Sequence, residues 1–347
     1  MDRVRQCHFG YFMQYGLRAK ERRPAGFEAP EIGTFLHYLL ENTAREVAGS
    51  GGWAAVKTPQ LHAMVRKYID LYIRDEIPGY EEKSARFRYL FGRLRTTAED
   101  IVDRMAEELA ESDFKPVAFE LGFGGRDGTL PAITIQEGDA TLSVSGKVDR
   151  VDGWLHDGKL YLRVVDYKTG RKSFDLSDVR YGLGIQMLLY LFTLEKEGQS
   201  CFGYPIVPAG VLYHPARDLI LKADRDITPE ALRRAMDREL RRDGMVLRAM
   251  EHSALEAPCF LPIQVSKDGG ISGGVATAAQ LGRLGQYVEK LLHQIIRELR
   301  QGNIDADPCW RGPQESACTY CDFASACHFQ DGQAGDRLRP LKRVKAD

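Results

Sequence analysis

Two short segments carry residues whose types and spacing suit chemistry. They are Gly146-Lys147-Val148-Asp149-Arg150 and Val164-Val165-Asp166-Tyr167-Lys168, and His156-Asp157-Gly158-Lys159 lies between them. Asp-Gly flanked by alternating apolar residues is a strong signal for a two-residue hairpin. With Asp157-Gly158 as the turn, His156 opposes Lys159, Asp149 opposes Asp166 and Lys147 opposes Lys168. Opposed side chains share one face of the sheet, roughly 4.5–5.5 Å apart at Cβ. The remainder of that face, Val151, Leu155, Leu160, Leu162 and Val164, is apolar. Two opposed carboxylates repel each other, and a divalent cation between them reverses that cost. A neighbouring lysine can orient or deprotonate water. Paired carboxylates with a lysine around Mg²⁺ are the apparatus of phosphodiester hydrolysis. A salt-bridged end of a surface hairpin has the same composition, and a bulge would break the register.

The cysteines form a second constellation. The sequence holds seven: Cys7, Cys201, Cys259, Cys309, Cys318, Cys321 and Cys327. Two residues separate Cys318 from Cys321 and five separate Cys321 from Cys327. Such spacing brings three thiolates to one metal. A closed thiolate site needs a fourth ligand, for zinc or for an iron–sulfur cluster alike. Cys309, His328 and distant Cys7 are candidates. A single C-x-x-C pair with one further cysteine is less zinc-like than two such pairs, and buried free thiols are the other reading.

These residues need elements to hold them. Helical periodicity covers most of residues 1–110, with helices at 30–49, 58–75 and 83–111. Period-two alternation marks strands through 116–168. An apolar helix spans 178–197, and Gln186, Tyr190 and Thr193 form its polar stripe. A buried glutamine there needs partners, either in an acid cluster that the stripe faces or locally in the core. Short strands follow at 210–213, 219–221 and 260–263, with helices at 228–243 and 276–301. His37 sits on an otherwise apolar helix, as a satisfied core histidine or as a metal ligand. Glu120, in a strand, is an additional acid candidate. Residues 83–95 carry Lys83, Arg86, Arg88, Arg93 and Arg95 without an acid. Their interleaved aromatics either stack bases or pack the core.

Composition bounds the rest. The chain has 347 residues, 44% of them hydrophobic, and a formal net charge of −1. Length allows about two domains, and the apolar content supports a substantial core. Near-neutrality excludes a uniformly basic nucleic-acid binder, so any such role rests on a local patch. No apolar run is long enough to span a membrane, the first residues have no apolar signal region, and disulfides are unnecessary in a cytosolic chain. A cytoplasmic location follows as the expectation. No G-x-x-x-x-G-K-[ST] phosphate loop is present.

Together, G-K-V-D149, V-V-D166-Y-K168, Q186-x-x-x-Y190 and G33-T-F-L-H37 resemble the RecB-type branch of the PD-(D/E)XK nucleases. Cys7 with C318-x-x-C321-x5-C327 resembles the iron–sulfur members of that branch. F-x-x-Y-G-L-R-A-K, A-P-E-I-G-T-F-L-H and D-Y-K-T-G-R-K-S-F-D-L are similar to AddB-type nuclease domains, the B subunits of ATP-dependent helicase–nucleases. The likeness covers essentially the whole chain. It implies an α/β fold with a restriction-endonuclease-like mixed sheet flanked by helices, a helical N-terminal part and a cluster joining the two ends. Residues 1–115, 116–222 and 223–347 are then a helical part, a nuclease core and a C-terminal part of one integrated domain. It implies His37, Asp149, Asp166 and the Tyr167 carbonyl as ligands of Mg²⁺ or Mn²⁺, and Lys168 as the catalytic lysine. Gln186 and Tyr190 become DNA-positioning residues, and Arg86, Arg88, Arg93, Arg95 and Lys147 DNA contacts. Cys7, Cys318, Cys321 and Cys327 become ligands of a 4Fe–4S cluster. The expected activity is 5′→3′ exonuclease action on single-stranded DNA in double-strand-break repair, beside an AddA-like helicase subunit. The alternatives are a non-catalytic DNA-binding scaffold, a freestanding nuclease of the CRISPR-adaptation kind, and a zinc domain that uses Cys309.

Overall fold

A computed structural model describes residues 1–20, 29–125, 128–217, 219, 221, 226–248, 260–268, 270–333 and 336–343. The chain opens with two short helices, α1 (Asp2–Gln6) and α2 (His8–Tyr11), and a π-helical turn at Phe12–Gly16. Three long helices follow, α3 (Ala29–Gly49), α4 (Thr58–Glu76) and α5 (Ala85–Glu111). Apolar residues recur three and four apart, which gives each helix one apolar stripe. Phe35, Leu36, Leu39 and Leu40 of α3 meet Leu61, Val65 and Ile69 of α4 and Ile101, Val102 and Met105 of α5 in one core. Ser84 starts α5, its hydroxyl accepting from the Phe87 amide at 3.2 Å.

The strands are β1 (Lys115–Phe123), β2 (Ile133–Glu137), β3 (Ala140–Val144), β4 (Gly146–His156) and β5 (Lys159–Lys168). Helices α6 (Leu176–Arg180) and α7 (Gln186–Phe202) cross over to β6 (Ile206–Pro215). Then come α8 (Pro229–Glu239), β7 (Asp243–Leu247), β8 (Ile263–Val265), β9 (Ile271–Gly273), β10 (Val275–Ala276) and α9 (Ala278–Arg300). The C-terminal part holds β11 (Cys309–Gly312), β12 (Glu315–Ser316), α10 (Ala324–Cys327) and β13 (Arg339–Pro340). The main sheet has six strands in the order β1-β4-β5-β6-β7-β10. The β5/β6 and β7/β10 pairs are parallel and the rest antiparallel. A parallel neighbour needs a crossover of a dozen or more residues, which α6 and α7 provide. One face of this mixed sheet packs Val151, Leu162, Val164 and Val211 against Leu188, Leu191 and Leu194 of α7.

The β4/β5 hairpin has the expected register, from His156↔Lys159 to Arg150↔Val165. Asp157 and Gly158 both have positive φ, 47° and 70°, as a type I′ turn requires. Four expectations need correction. The helix expected over 178–197 is two, because Gly182 (φ 79°) and Gly184 (φ 64°) break it between α6 and α7. The strand at 210–213 is part of a longer one, β6, and the segment 219–221 falls partly outside the described residues. The strand placed at 260–263 begins only at Ile263. Leu155, assigned to the apolar face, is half exposed because the hairpin tip outruns the helix covering it.

The two ends of the chain meet. The Phe9 amide donates to the Asp305 carbonyl at 2.9 Å, and Arg339 Nη2 donates to the Arg5 carbonyl at 2.8 Å. His8 Nδ1 lies 2.7 Å from Asp307 Oδ2, and Arg5 Nη1 donates to Glu298 at 2.6 Å.

Candidate metal centre and nuclease site

Asp149 and Asp166 leave the hairpin just beyond its last ladder pair, on neighbouring strands. Asp149 Oδ2 accepts from the Tyr167 amide at 2.8 Å. Helix α3 brings His37 over them. His37 Nδ1 is 3.4 Å from Asp149 Oδ1, and Nε2 is 3.2 Å from the Tyr167 carbonyl oxygen. Strand β1 adds Glu120, which falls between the ladder pairs Phe119↔Arg150 and Leu121↔Val148 and therefore faces Asp149. One ligand atom from each of His37, Glu120 and Asp149 lies within 4.8 Å of the others. An imidazole and two carboxylates at that spacing suit a cation that takes oxygen and nitrogen donors.

Glu120 occupies left-handed backbone, with φ 49°. That conformation costs a non-glycine residue roughly 1–2 kcal/mol. The strain turns its carboxylate toward Asp149 and Lys147, whose Nζ is 2.9 Å away. Lys168 Nζ is 2.5 Å from Asp166 Oδ2. The Lys168 ammonium also lies over the ring of Tyr213, 5.9 Å from its centroid. Asp166 has its pKa raised, first by burial and then by the Asp149 charge, with Lys168 opposing both. Burial works against the His37 imidazolium, but Asp149 and the Tyr167 carbonyl outweigh it and raise its pKa. An open cleft of about 490 Å³ lies beside His37 and Glu120, with Glu41 on its wall.

Of the residues expected from sequence, the structure thus gathers His37, Asp149, Asp166, the Tyr167 carbonyl and Lys168. Glu120 joins them, although its role was open. The polar stripe of α7 is different from expectation. Gln186 is exposed, because it is the first residue of α7 rather than a mid-helix one. Its Nε2 donates to Tyr190 Oη at 2.8 Å. Thr193 satisfies itself on the Leu189 carbonyl at 2.8 Å and takes no part. The Tyr190 ring stacks on Phe123 at 5.1 Å and lies against Gly146. A Cβ at Gly146 would stand 2.0 Å from the Tyr190 hydroxyl, so only glycine fits there.

On α5, Arg86, Arg88, Arg93 and Arg95 are all exposed. The aromatics between them divide. Phe87 and Phe91 stack on each other and meet Tyr80 edge-on against the helical core, while Tyr89 points out.

Cys7, between α1 and α2, comes to the same end of the molecule as Cys318, Cys321 and Cys327. Burial, and then the charge of Cys7, raises the pKa of both Cys318 and Cys327. Arg3 Nη2 is 3.5 Å from Cys321 Sγ. Among the described residues no three cysteine sulfurs lie within 4.8 Å of one another. Cys309 is buried in β11, Cys201 is exposed on α7, and Cys259 lies outside the described residues.

The chain matches the PD-(D/E)XK nuclease superfamily over residues 1–328. It belongs to that superfamily. Similar curated proteins are the ATP-dependent helicase/deoxyribonuclease subunits B of Acetivibrio thermocellus and Caldanaerobacter subterraneus. They are 33% and 32% identical to it, over 100% and 99% of this chain. The Clostridium tetani protein of the same name is 29% identical over the whole chain. The chain spans 31%, 30% and 31% of the lengths of these relatives. Among the described residues no helix is long and apolar enough to cross a membrane.

Sequence reasoning missed a second charged cluster on the reverse face of the PD-(D/E)XK sheet. Arg150 and Asp152 are fully buried there and pair at 2.8–2.9 Å. Arg242 bonds Glu108 and also lies 2.6 Å from His214 Nδ1. The signal was present in the alternation Asp149-Arg150-Val151-Asp152, in which charged residues fall on both faces of one strand.

Proposed function

We propose that this chain is a divalent-metal-dependent DNA nuclease acting on single-stranded DNA in double-strand-break repair. The observation that carries this reading is the convergence of His37, Glu120 and Asp149 from three elements, with Asp166 and Lys168 alongside. Superfamily membership supports hydrolysis, and the names of the similar proteins support DNA as substrate. The residues that would hold Mg²⁺ or Mn²⁺ are His37, Glu120, Asp149, Asp166 and the Tyr167 carbonyl. That ion would supply Lewis-acid activation of water and phosphate.

The chain's own groups do the rest. Lys168 gives one hydrogen to Asp166 and keeps others to hold the attacking water or a phosphate oxygen. Tyr167 fixes the Asp149 carboxylate through its amide and meets His37 through its carbonyl, so one peptide orients two ligands. Gln186, exposed but tethered to Tyr190, offers an amide to the sugar or base of an incoming nucleotide. The exposed arginines of α5 and Lys147 attract the strand. The reading extends to a 5′→3′ exonuclease in the cytoplasm, working on a strand fed by an AddA-like helicase subunit.

The same reading includes a 4Fe–4S cluster on Cys7, Cys318, Cys321 and Cys327. The meeting of the chain ends, which brings Cys7 to the end that holds Cys318, Cys321 and Cys327, supports it. Its role would be structural, closing residues 7 to 327 into a ring and stabilising by limiting the unfolded state.

Two measurements test this. Degradation of single-stranded oligonucleotide in Mg²⁺ is expected from the wild type and not from Asp166→Ala or Lys168→Ala; activity retained in both variants refutes the site. Anaerobic preparations are expected to be brown, with absorbance near 400 nm. That colour is to be lost in Cys7→Ser and kept in Cys309→Ser, and the reverse pattern overturns the ligand set.

A further inference from the structure

Beyond Lys168 the site opens into a second cleft, of about 280 Å³, and its chemistry is the opposite of the first. The cleft at His37 has Glu41 and Glu120 on its walls and, among the described residues, neither lysine nor arginine. The second one has Lys168, Arg171, Lys172, Arg217, Arg238 and Arg241 against Glu239 and Asp243. The two are linked through the metal-binding carboxylates, because Glu120 faces Asp149, Asp149 neighbours Asp166, and Asp166 bonds Lys168.

The two acids of this cleft are already engaged. Asp243 accepts from the Phe174 amide at 3.0 Å, and Glu239 is shared by Arg171 at 3.2 Å and Arg217 at 3.9 Å. Lys172 and Arg238 have no acidic partner among the described residues. Arg241 Nε is buried without a hydrogen-bond partner. Like charges gathered in a concave surface repel, and an anion entering it removes that cost. Guanidinium forks favour planar or tetrahedral oxyanions over halide-like ions. The loop that carries Arg171 and Lys172 follows directly from β5 and is free of helix and strand from 169 to 175. It therefore places both cations beside the reacting end of that strand.

We propose that this cleft binds a backbone phosphate of the DNA strand adjacent to the one being cleaved. The strand then runs from the acidic cleft, across the metal-binding carboxylates and Lys168, into the basic cleft. This rests on the nuclease reading above and adds to it a second phosphate subsite. An internal phosphodiester and a terminal phosphate share the required chemistry.

The test uses the full chain and dT20 oligonucleotides with and without a 5′-phosphate. Binding is read by fluorescence anisotropy in EDTA, so it does not depend on cleavage. Lys172→Ala/Arg238→Ala removes two exposed cations without disturbing any ion pair. Its Kd is expected to rise about tenfold, and the slope of log K on log salt to fall by about 0.7, the value for one single-strand phosphate contact. The control, Lys267→Ala/Lys290→Ala, removes the same charge from exposed positions elsewhere and is expected to change Kd less than twofold. A loss seen with both oligonucleotides assigns an internal phosphodiester, and a loss confined to the 5′-phosphorylated one assigns the terminal phosphate. A cleft variant that binds like the wild type, or weakens no more than the control, overturns the proposal. So does a wild type that binds neither oligonucleotide. Cleavage in Mg²⁺ tests the other premise separately: a wild type that cleaves neither oligonucleotide overturns the nuclease reading, and cleavage at wild-type rate by Asp166→Asn overturns its active site, whatever the cleft variant shows.

Discussion

Strands β4 and β5 carry two charged groups on opposite faces, one residue apart. On the reverse face Arg150 and Asp152 are wholly buried, and Arg150 Nη1 also donates to Tyr167 Oη at 3.2 Å. Glu108 and Arg242 pair beside them, and burial and the nearby arginines push the His214 pKa well below its ordinary value. A neutral imidazole can then accept from Arg242. Helix α5 packs over this group, and only a cavity of about 50 Å³, lined by Glu108, His214 and Arg242 among others, lies beside it. On the obverse face Glu120, Asp149, Asp166 and His37 surround space that opens into a cleft. Both groups have the same kinds of residue. Where opposite charges pair inside the fold, charge holds the fold; where carboxylates crowd one another beside solvent, charge is available to a ligand.

Substitutions on the two faces should therefore fail in different ways. The largest effect is expected on the open face. Asp166→Ala or Lys168→Ala should lower kcat on single-stranded DNA about 10³-fold with an unchanged melting temperature, and a parallel loss of stability would erase the distinction. On the closed face, Arg150→Met strands Asp152 and should cost about 3–5 kcal/mol in urea denaturation, while the folded fraction keeps its turnover per molecule.

The terminal clasp sharpens the contrast with a pH signature. Asp307, then Glu298, hold the His8 pKa up to about 9 against burial. Burial opposes the Glu298 carboxylate, but His8 and Arg5 bring its pKa down to about 2. A raised histidine pKa contributes stability fully below about 6.5, and this is lost as pH rises through about 9. A lowered carboxyl pKa contributes above about 4.5, and this is lost as pH falls toward 2. His8→Gln should cost roughly 1–3 kcal/mol near pH 6 and little at pH 10. Chemical denaturation at the two pH values measures this, and an equal cost at both contradicts it. The smallest effect is expected at Glu120. Glu120→Gly relieves left-handed backbone and should raise stability by about 0.5–1 kcal/mol, while weakening Mn²⁺ binding measured by calorimetry. A variant that is destabilised and binds Mn²⁺ unchanged would make Glu120 a structural residue.

Much of this was legible because the hairpin is local. Asp157-Gly158 admits one tight turn, and the alternation around it sets every opposed pair up to Arg150 and Val165. The helices α3, α4 and α5 were legible from their apolar stripes. Gln186 was misplaced because Gly182 and Gly184 break the helix just before it, and periodicity does not register such a break. Glu120 was ambiguous because its partner, Asp149, lies 29 positions away on another strand, and because a left-handed backbone at a glutamate has no sequence signature. The basic cleft was hidden for the same reason. Its cations come from the loop after β5, the end of β6, α8 and the residues before β7, and no window of sequence contains them together.

By itself the sequence determined most of the elements, the hairpin register and the residue types able to perform hydrolysis, since turn chemistry and periodicity act over a few residues. Tertiary structure decided which of those residues share space. It set His37 and Glu120 against Asp149, sealed Arg150 and Asp152 away from water, and brought Cys7 to the far end of the chain. Those outcomes depend on how an apolar helix and a twisted sheet pack, and packing joins residues without regard to their distance along the chain.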